Sequence, residues 1–237
     1  MKAKETSVMS GNKPILKGRQ SASDRVKKIT GLAMLTAVAY LTVFFFRLPI
    51  FGFLTMDFKD AVLVFGAFIF GPLAGFVMSA VLALVEMITI SSTGIIGMIM
   101  NLLSSASFVC VASFIHKKKP GLKSAVIGLI AGCLAMTAVM LLWNYLITPL
   151  YMNATREQVA QMLIPTFLPF NLLKSVLNSS IAVMLYPSIR VLEKAKLISK
   201  RDTQKSDSKA ATIGIFIFTA IALITCVYFV LVLMKVI

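Results

Sequence analysis

The apolar stretch PFNLLKSVLNSSIAVMLY contains two asparagines and a lysine, namely Asn171, Asn178 and Lys174. Their spacing of three and then four residues places them on one face of an α-helix, and Ser175 flanks that face. A lysine at the centre of a membrane helix costs about 2.5–3.5 kcal/mol and usually faces the protein interior and a partner group. The stripe therefore predicts a polar binding site inside a bundle. A lysine that extends its ammonium toward the membrane surface is the alternative.

The composition indicates that membrane helices must position these residues. The 237-residue chain is 58% hydrophobic and only 14% charged, and its mean hydropathy is +0.90. Soluble domains are typically about 45–50% apolar and about 25% charged. Long apolar runs without alternating strands predict an all-α integral membrane protein rather than a β-barrel.

The apolar runs divide the chain into a basic tail at 1–28, a six-span domain at 29–196, a charged linker at 197–210 and an additional C-terminal transmembrane helix at 211–234. The six spans are predicted at 29–46, 61–70, 73–90, 98–115, 125–146 and 167–191. Gly71-Pro72 predicts a tight turn between two helices, and Asn153 predicts the start of a short helix before the sixth span.

Basic residues are unevenly distributed along this arrangement. The formal net charge is +15, and lysine and arginine concentrate in the tail, near 117–123 and near 190–209. The opposite side of the predicted bundle has only Arg47, Lys59, Arg156 and Lys235. The positive-inside rule therefore predicts a cytoplasmic N-terminus, and it explains the charge without nucleic-acid binding. The lone His116, beside three lysines at a span end, is predicted to lie at the membrane interface.

Other predicted spans offer polar groups at a similar depth. Glu86, Asn101 and Asn144 all fall toward the outer half of their spans, so a pocket shared with Lys174 is expected, with Glu86 as the counter-charge of that lysine. Each asparagine alone could instead form a hydrogen bond between helices. Amides and one ammonium near aromatic residues suit a neutral, flat heterocycle, whereas a polyanion would require several arginines.

Small residues recur at four-residue spacing in two predicted spans. Ala33 and Ala37 lie in the first span, and Gly128 and Gly132 lie in the fifth. Such pairs allow another helix to approach closely, either a partner protein or a neighbour within the bundle.

Motifs for catalysis are missing from the sequence. It contains no GxxxxGKS phosphate loop, HExxH, GxSxG or CxxC pattern, so no nucleotide hydrolysis, catalytic residue, metal site or cofactor is predicted. A membrane enzyme would have to rely on Asp57 and Asp60. A standalone secondary carrier would require a continuous polar path, yet the inner halves of the spans have almost no ionisable residues.

Taken in order, several segments resemble one family of membrane proteins. They are AxxxA at Ala33 and Ala37, DFKDAVLVFGAFIFGPLAG, STGIIGMIMN, WNYLITPLYM and PFNLLK. Over about residues 25–196 the chain resembles the riboflavin-specific S components of energy-coupling factor (ECF) transporters. It departs from that family at Met98, where an acidic residue is frequent, and in the run 211–234, which has no counterpart there.

The resemblance implies a six-helix S-component bundle in a bacterial cell membrane, with riboflavin as the transported ligand. It also implies assembly with a membrane-embedded T component and two ABC-type ATPases. An S component for another vitamin or heterocycle is the alternative, followed by a standalone secondary carrier.

The resemblance also implies roles for particular residues. Asn144, Asn171 and Lys174 would contact the flavin, and Ala33 and Ala37 would face the T component. Glu86 and Asn101 complete the expected pocket. A loop would cover it, formed by Phe51, Gly52 and Leu54.

Overall fold

The computed structural model of the protein describes residues 22–51, 54–91, 93–152, 154–194 and 209–233. In chain order the elements are α1 (Ala22–Phe46), β1 (Leu48–Phe51), β2 (Leu54–Met56), α2 (Lys59–Phe70), α3 (Pro72–Thr89), α4 (Gly94–Lys118), α5 (Leu122–Met152), α6 (Arg156–Met162), a π-helical turn (Leu163–Phe167), α7 (Leu168–Leu185), α8 (Ser188–Lys194) and α9 (Lys209–Leu233). Most of the predicted tail and linker lies outside the described residues, as do Gly52 and Asn153.

Among the described residues, six helical stretches are long and apolar enough to cross a membrane. They are Arg25–Phe46, Pro72–Thr89, Gly94–Lys118, Leu122–Leu150, Arg156–Leu185 and Thr212–Val232. The 12 residues of α2 extend only about 18 Å at 1.5 Å per residue, which is short of the hydrocarbon core of about 30 Å. Because ten of these twelve residues are buried, α2 is an internal helix that brings its N-terminus into the middle of the bundle.

The turn between α2 and α3 follows the sequence prediction. Gly71 has a φ of 95° and Pro72 is the first residue of α3. Glycine adopts this positive φ without steric cost, and proline suits the first helical turn because its missing N–H has no partner there.

The glycine pair in α5 packs within the bundle. A Cβ at Gly132 would lie 2.8 Å from the carbonyl oxygen of Phe108, and one at Gly128 would meet the backbone of Ala112. The backbones of α4 and α5 therefore approach closely because these positions lack side chains. Gly128 and Gly132 therefore allow packing between helices of the bundle, and not contact with a partner protein.

The entry into α7 differs from the predicted continuous span. The short helix α6 begins after Thr155, whose hydroxyl accepts from the N–H of Gln158 at 3.3 Å while the Gln158 side chain accepts from the N–H of Thr155 at 2.9 Å. Pro165 and Pro169 have no amide N–H to donate to a carbonyl of the preceding turn, and the backbone widens into the π-helical turn. At the other end α7 stops at Leu185, before Pro187, so the prediction of one helix to residue 191 is wrong.

The loop after α1 contains a β-hairpin that the all-helical prediction did not include. Strands β1 and β2 pair antiparallel, with Leu48 opposite Met56 and Pro49 opposite Thr55. Leu54 and Met56 are buried in an apolar cluster with Phe167 of the π-helical turn and residues of α7. The hairpin is therefore packed against the N-terminal end of α7.

The additional helix α9 packs against α7. Cys226 and Val230 belong to the same apolar cluster as the hairpin residue Leu54. An apolar groove of about 590 Å³ lies between α5, α7 and α9, and its lining includes Cys133, Ser179 and Gly214.

His116, near the end of α4, is buried rather than interfacial. Its Nε2 lies 2.9 Å from the hydroxyl of Tyr186, and its ring centroid lies 4.6 Å from that of Phe68. The prediction for this residue is wrong because its ring packs between helices, whereas Lys117, Lys118 and Lys119 are exposed.

Candidate binding site

Four charged side chains form a buried row across the bundle. Lys174 of α7 donates to Asp57 Oδ2 at 2.9 Å, and Lys59 Nζ lies 4.0 Å from the same oxygen. Lys59 in turn donates to both carboxylate oxygens of Glu86 on α3, at 2.8 and 2.7 Å. The side chains are only 3–7% exposed. We call Glu86, Lys59, Asp57 and Lys174 the charge row.

Asn178 fixes the hairpin end of the charge row to α7. Its Nδ2 donates to the carbonyl oxygens of Asp57 at 3.0 Å and Lys174 at 2.9 Å, and its Oδ1 accepts from the N–H of Ala61 at 2.9 Å. The fully buried amide thus holds the junction between β2 and α2 beside Lys174. Asn178 and Lys174 are one helical turn apart, so the sequence stripe is the reason these groups meet.

Helix α4 contributes two further contacts to the same region. Asn101 Nδ2 donates to Glu86 Oε2 at 2.8 Å, and the hydroxyl of Ser105 donates to Asp60 Oδ1. Asn101 and Ser105 are four residues apart and share a helical face. The charge row is consequently enclosed by α2, α3, α4 and α7.

Several polar atoms of this cluster retain hydrogen-bonding capacity. No partner among the described residues reaches Asp57 Oδ1 or Asp60 Oδ2, although both atoms are buried. An ammonium has three donors, and Lys174 uses one of them on Asp57. Buried polar atoms are normally hydrogen-bonded, so these positions point to a polar ligand.

Two ammoniums act on the carboxyl group of Asp57. Burial alone would raise the pKa of this carboxyl, but the nearby Lys174 and Lys59 ammoniums lower it below its ordinary value. The two lysines therefore favour the charged form of Asp57.

The other predicted pocket amides are buried but bonded within their own helices. Asn144 donates to the carbonyl oxygen of Met140 at 2.8 Å and accepts from Thr148 at 2.9 Å. Asn171 donates to the carbonyl oxygen of Phe167 at 2.8 Å. Asn171 lies one turn from Lys174 on α7, and α5, which carries Asn144, packs against α7.

The predicted counter-charge of Lys174 is wrong. Glu86 pairs with Lys59, and the partner of Lys174 is Asp57. The predicted arrangement of spans places Lys59 on the outer side, in the loop before the second span. In the structure Lys59 is the first residue of the buried helix α2, so its ammonium requires an internal carboxylate.

Sequence reasoning missed three members of this cluster as binding-site residues: Asp57, Lys59 and Asp60. A signal was available for all three, because DFKD directly precedes an 18-residue run, 61–78, without a polar side chain. Charged residues in the first turn of so apolar a helix are drawn into the interior and must pair there.

The hairpin residues of the prediction lie next to the charge row in sequence. Leu54 is buried in β2, three residues before Asp57, and Phe51 is the last residue of β1, paired with Leu54 in the strand register. Gly52 lies outside the described residues. The two alanines of the other predicted site, Ala33 and Ala37, are exposed on α1 and point away from the bundle interior.

Comparison with known proteins identifies the family. A family profile described as "ECF transporter, substrate-specific component" matches residues 27–186. The chain belongs to this family. Within it, the S. aureus (strain TCH60) protein named riboflavin transporter RibU is 31% identical over 168 residues, covering 68% of this chain and 88% of the relative. The riboflavin transporter FmnP of B. subtilis (strain 168) is 26% identical over 178 residues, covering 70% and 93%.

A solved structure supports the same assignment. The S component of a bacterial ECF transporter has 31% sequence identity with this chain and a TM-score of 0.62, and the match covers 72% of this chain and 99% of that structure. The protein is thus an S component with a multi-pass helical membrane fold, as the sequence resemblance predicted. The family match ends at residue 186, before α9.

Proposed function

We propose that this S component binds riboflavin and mediates its uptake together with an ECF module. Two relatives named riboflavin transporters match about seven-tenths of the chain. The observation that carries the proposal is the buried Lys174 ammonium, which uses one of its three donors among the described residues and lies one turn from Asn171 in a helix of the matched region. A neutral flavin needs hydrogen-bond donors for its carbonyls but no cluster of arginines.

In this proposal the flavin lies along the polar face of α7. Lys174 donates to a ring carbonyl, and the amides of Asn171 and Asn144 bind the imide edge, where one group donates and another accepts. Asn101 and Glu86 are bonded to each other at the edge of this proposed site, where Glu86 acts through Lys59. The hairpin supplies the cover, through Phe51, Gly52 and Leu54.

Ligand entry requires the hairpin to move. Leu54 packs with residues of the π-helical turn and α7, and Asp57 at the hairpin end is paired with Lys174. Separation of this apolar contact gives the ring access to the polar face, and closure afterwards buries it. The hydrogen bonds of Asn178 with the backbone of Asp57 and Ala61 keep the junction between β2 and α2 fixed while the strands move.

The proposal also assigns partners and location. The exposed Ala33 and Ala37 on α1 form the contact for the membrane-embedded T component, and two ABC-type ATPases hydrolyse ATP for transport. The chain itself is a binding subunit and not an enzyme. It lies in the bacterial cell membrane among lipids with a cytoplasmic N-terminus. The predicted binding domain, 29–196, includes α2 to α8 and most of α1, and α9 (Lys209–Leu233) is a helix outside that domain.

Tryptophan fluorescence tests the substrate. The chain has one tryptophan, Trp143, which is adjacent to Asn144. Titration of flavin-free, detergent-purified protein with riboflavin should quench this emission saturably at one ligand per chain. A sample with N-acetyltryptophanamide in place of the protein corrects for absorption by the flavin. If riboflavin does not bind but another vitamin does, the S-component family stands and the substrate is different.

Transport measurements distinguish the S component from a standalone carrier. In proteoliposomes containing this chain alone, radiolabelled riboflavin should bind without accumulating. Accumulation should require co-reconstitution with a T component, the ATPases and ATP. Accumulation by the chain alone would refute the requirement for an ECF module.

A further inference from the structure

The ligand set described above does not explain Lys59. This side chain is 2% exposed and lies at the start of α2, inside a membrane protein. Two of the three donors of its ammonium are directed at the oxygens of Glu86, at 2.8 and 2.7 Å. The same ammonium lies 4.0 Å from Asp57 Oδ2. Lys59 thus interacts with two carboxylates.

The cluster has more acids than bases. Asp57, Asp60 and Glu86 are three carboxyl groups, and Lys59 and Lys174 are two ammoniums. Lys59 takes both oxygens of Glu86, so Lys174 makes its ion pair with Asp57 alone. If Lys59 were neutral, Lys174 would be the single cation near three buried carboxyl groups. An unpaired buried carboxylate is unfavourable, so the acids would compete for the Lys174 ammonium.

Resting on the proposed function, we propose that Lys59 is a positioning residue that neutralises Glu86 and so keeps the donors of Lys174 available for the flavin. It does this without contacting the ligand itself. The role differs from general stabilisation because it depends on charge balance. Removal of the Glu86 charge together with that of Lys59 should therefore restore the riboflavin affinity that is lost when Lys59 alone is replaced.

The test is a set of variants measured for riboflavin affinity and thermal stability in detergent. Lys59→Met should weaken binding at least about tenfold, as expected when a hydrogen bond to a charged group is lost. Lys59→Met combined with Glu86→Gln should return the affinity to within about threefold of the wild type, because that variant has the same excess of one buried carboxyl group over ammoniums as the wild type. Lys117→Met removes an exposed positive charge and should leave the affinity unchanged.

A second double variant tests whether Lys59 acts through Lys174. In a Lys174→Met background, Lys59→Met should cause little further loss of affinity, because the group it positions is absent. Equal losses in the two backgrounds would show that Lys59 acts independently and would overturn the proposal. If Lys59→Met does not fold, Lys59→Gln replaces it, because glutamine can still donate to Glu86 while lacking the charge.

The outcomes separate this inference from the proposed function. A wild-type protein that does not bind riboflavin refutes the proposed substrate, and with it the stated role of Lys59. Wild-type binding together with unchanged affinity in folded Lys59→Met refutes the role of Lys59 alone. The role of Lys59 alone is also refuted if the Lys59→Met/Glu86→Gln variant binds riboflavin no better than Lys59→Met.

Discussion

Replacement of Lys174 by methionine should separate the stability of the bundle from its ability to bind flavin. The Lys174 ammonium is buried and lies 2.9 Å from Asp57 Oδ2, while the next cation, Lys59, is 4.0 Å from that oxygen and already bonded to Glu86. Removing one member of a buried ion pair typically destabilises a protein by about 3–5 kcal/mol. Lys174→Met should therefore markedly lower the midpoint of thermal unfolding.

A second substitution restores the stability but not the binding. Asp57→Asn with Lys174→Met removes both charges, and neutral replacement of a buried pair is often energetically neutral. We expect this double variant to unfold near the wild-type temperature. Both variants should lose flavin affinity by about 10- to 100-fold, since a hydrogen bond from a charged donor contributes about 1.5–3 kcal/mol.

The measurement combines thermal unfolding in detergent with riboflavin titration, and Lys117→Met serves as a control for loss of a lysine. Wild-type flavin affinity in folded Lys174→Met would refute the proposed contact between Lys174 and the ligand. A double variant as unstable as the single one would refute the energetic role of the Asp57 pair. The two conclusions are independent, because one concerns the ligand and the other the folded chain.

Three further predictions concern other parts of the molecule. Ala37→Trp, on the exposed face of α1, should leave riboflavin affinity unchanged and abolish uptake. Ile127→Trp, on the exposed side of α5, should change neither the affinity nor the uptake. Uptake by the Ala37→Trp variant would contradict the proposed contact between α1 and the T component. A chain that ends before α9 should keep its riboflavin affinity but unfold at a lower temperature, because the apolar cluster around Leu54 loses Cys226 and Val230. Loss of riboflavin binding in a folded truncated chain would contradict a purely stabilising role of α9. Gly132→Ala should destabilise the bundle by about 1–3 kcal/mol through overpacking against α4. Gly214→Ala should not, because a Cβ at Gly214 meets no atom within 4 Å. Equal stability of the two variants would contradict the close packing of α4 and α5.

The helices could be predicted from the sequence because membrane spans depend mainly on local composition. Each apolar run found in the sequence contains a helix, although the run 167–191 is divided at Pro187, and the turn at Gly71 follows from the properties of glycine followed by proline. The hairpin at 48–56 could not be predicted in the same way. It depends on packing of Leu54 against α7, a contact between residues more than one hundred positions apart in sequence.

The binding site could be predicted only in part, for a related reason. Periodicity placed Asn171, Lys174 and Asn178 on one face, because that relation lies within a single helix. It could not assign partners across helices, and it paired Lys174 with Glu86. The actual pairing depends on α2 being internal, which follows from its length of 12 residues and from the burial of both sides of the helix.

The internal position of α2 also explains why this chain needs two lysines in its interior. A helix that begins within the bundle brings its first turn, with Lys59 and Asp60, into a region of low dielectric constant. Each buried charge there requires an opposite charge: Glu86 of α3 supplies it for Lys59, and Lys174 of α7 supplies it for Asp57, two residues before the helix. The ammonium that we propose for flavin binding is therefore part of the same charge balance that holds α2 in place. Substitutions in the charge row should consequently alter affinity and stability together unless they preserve the balance of charge.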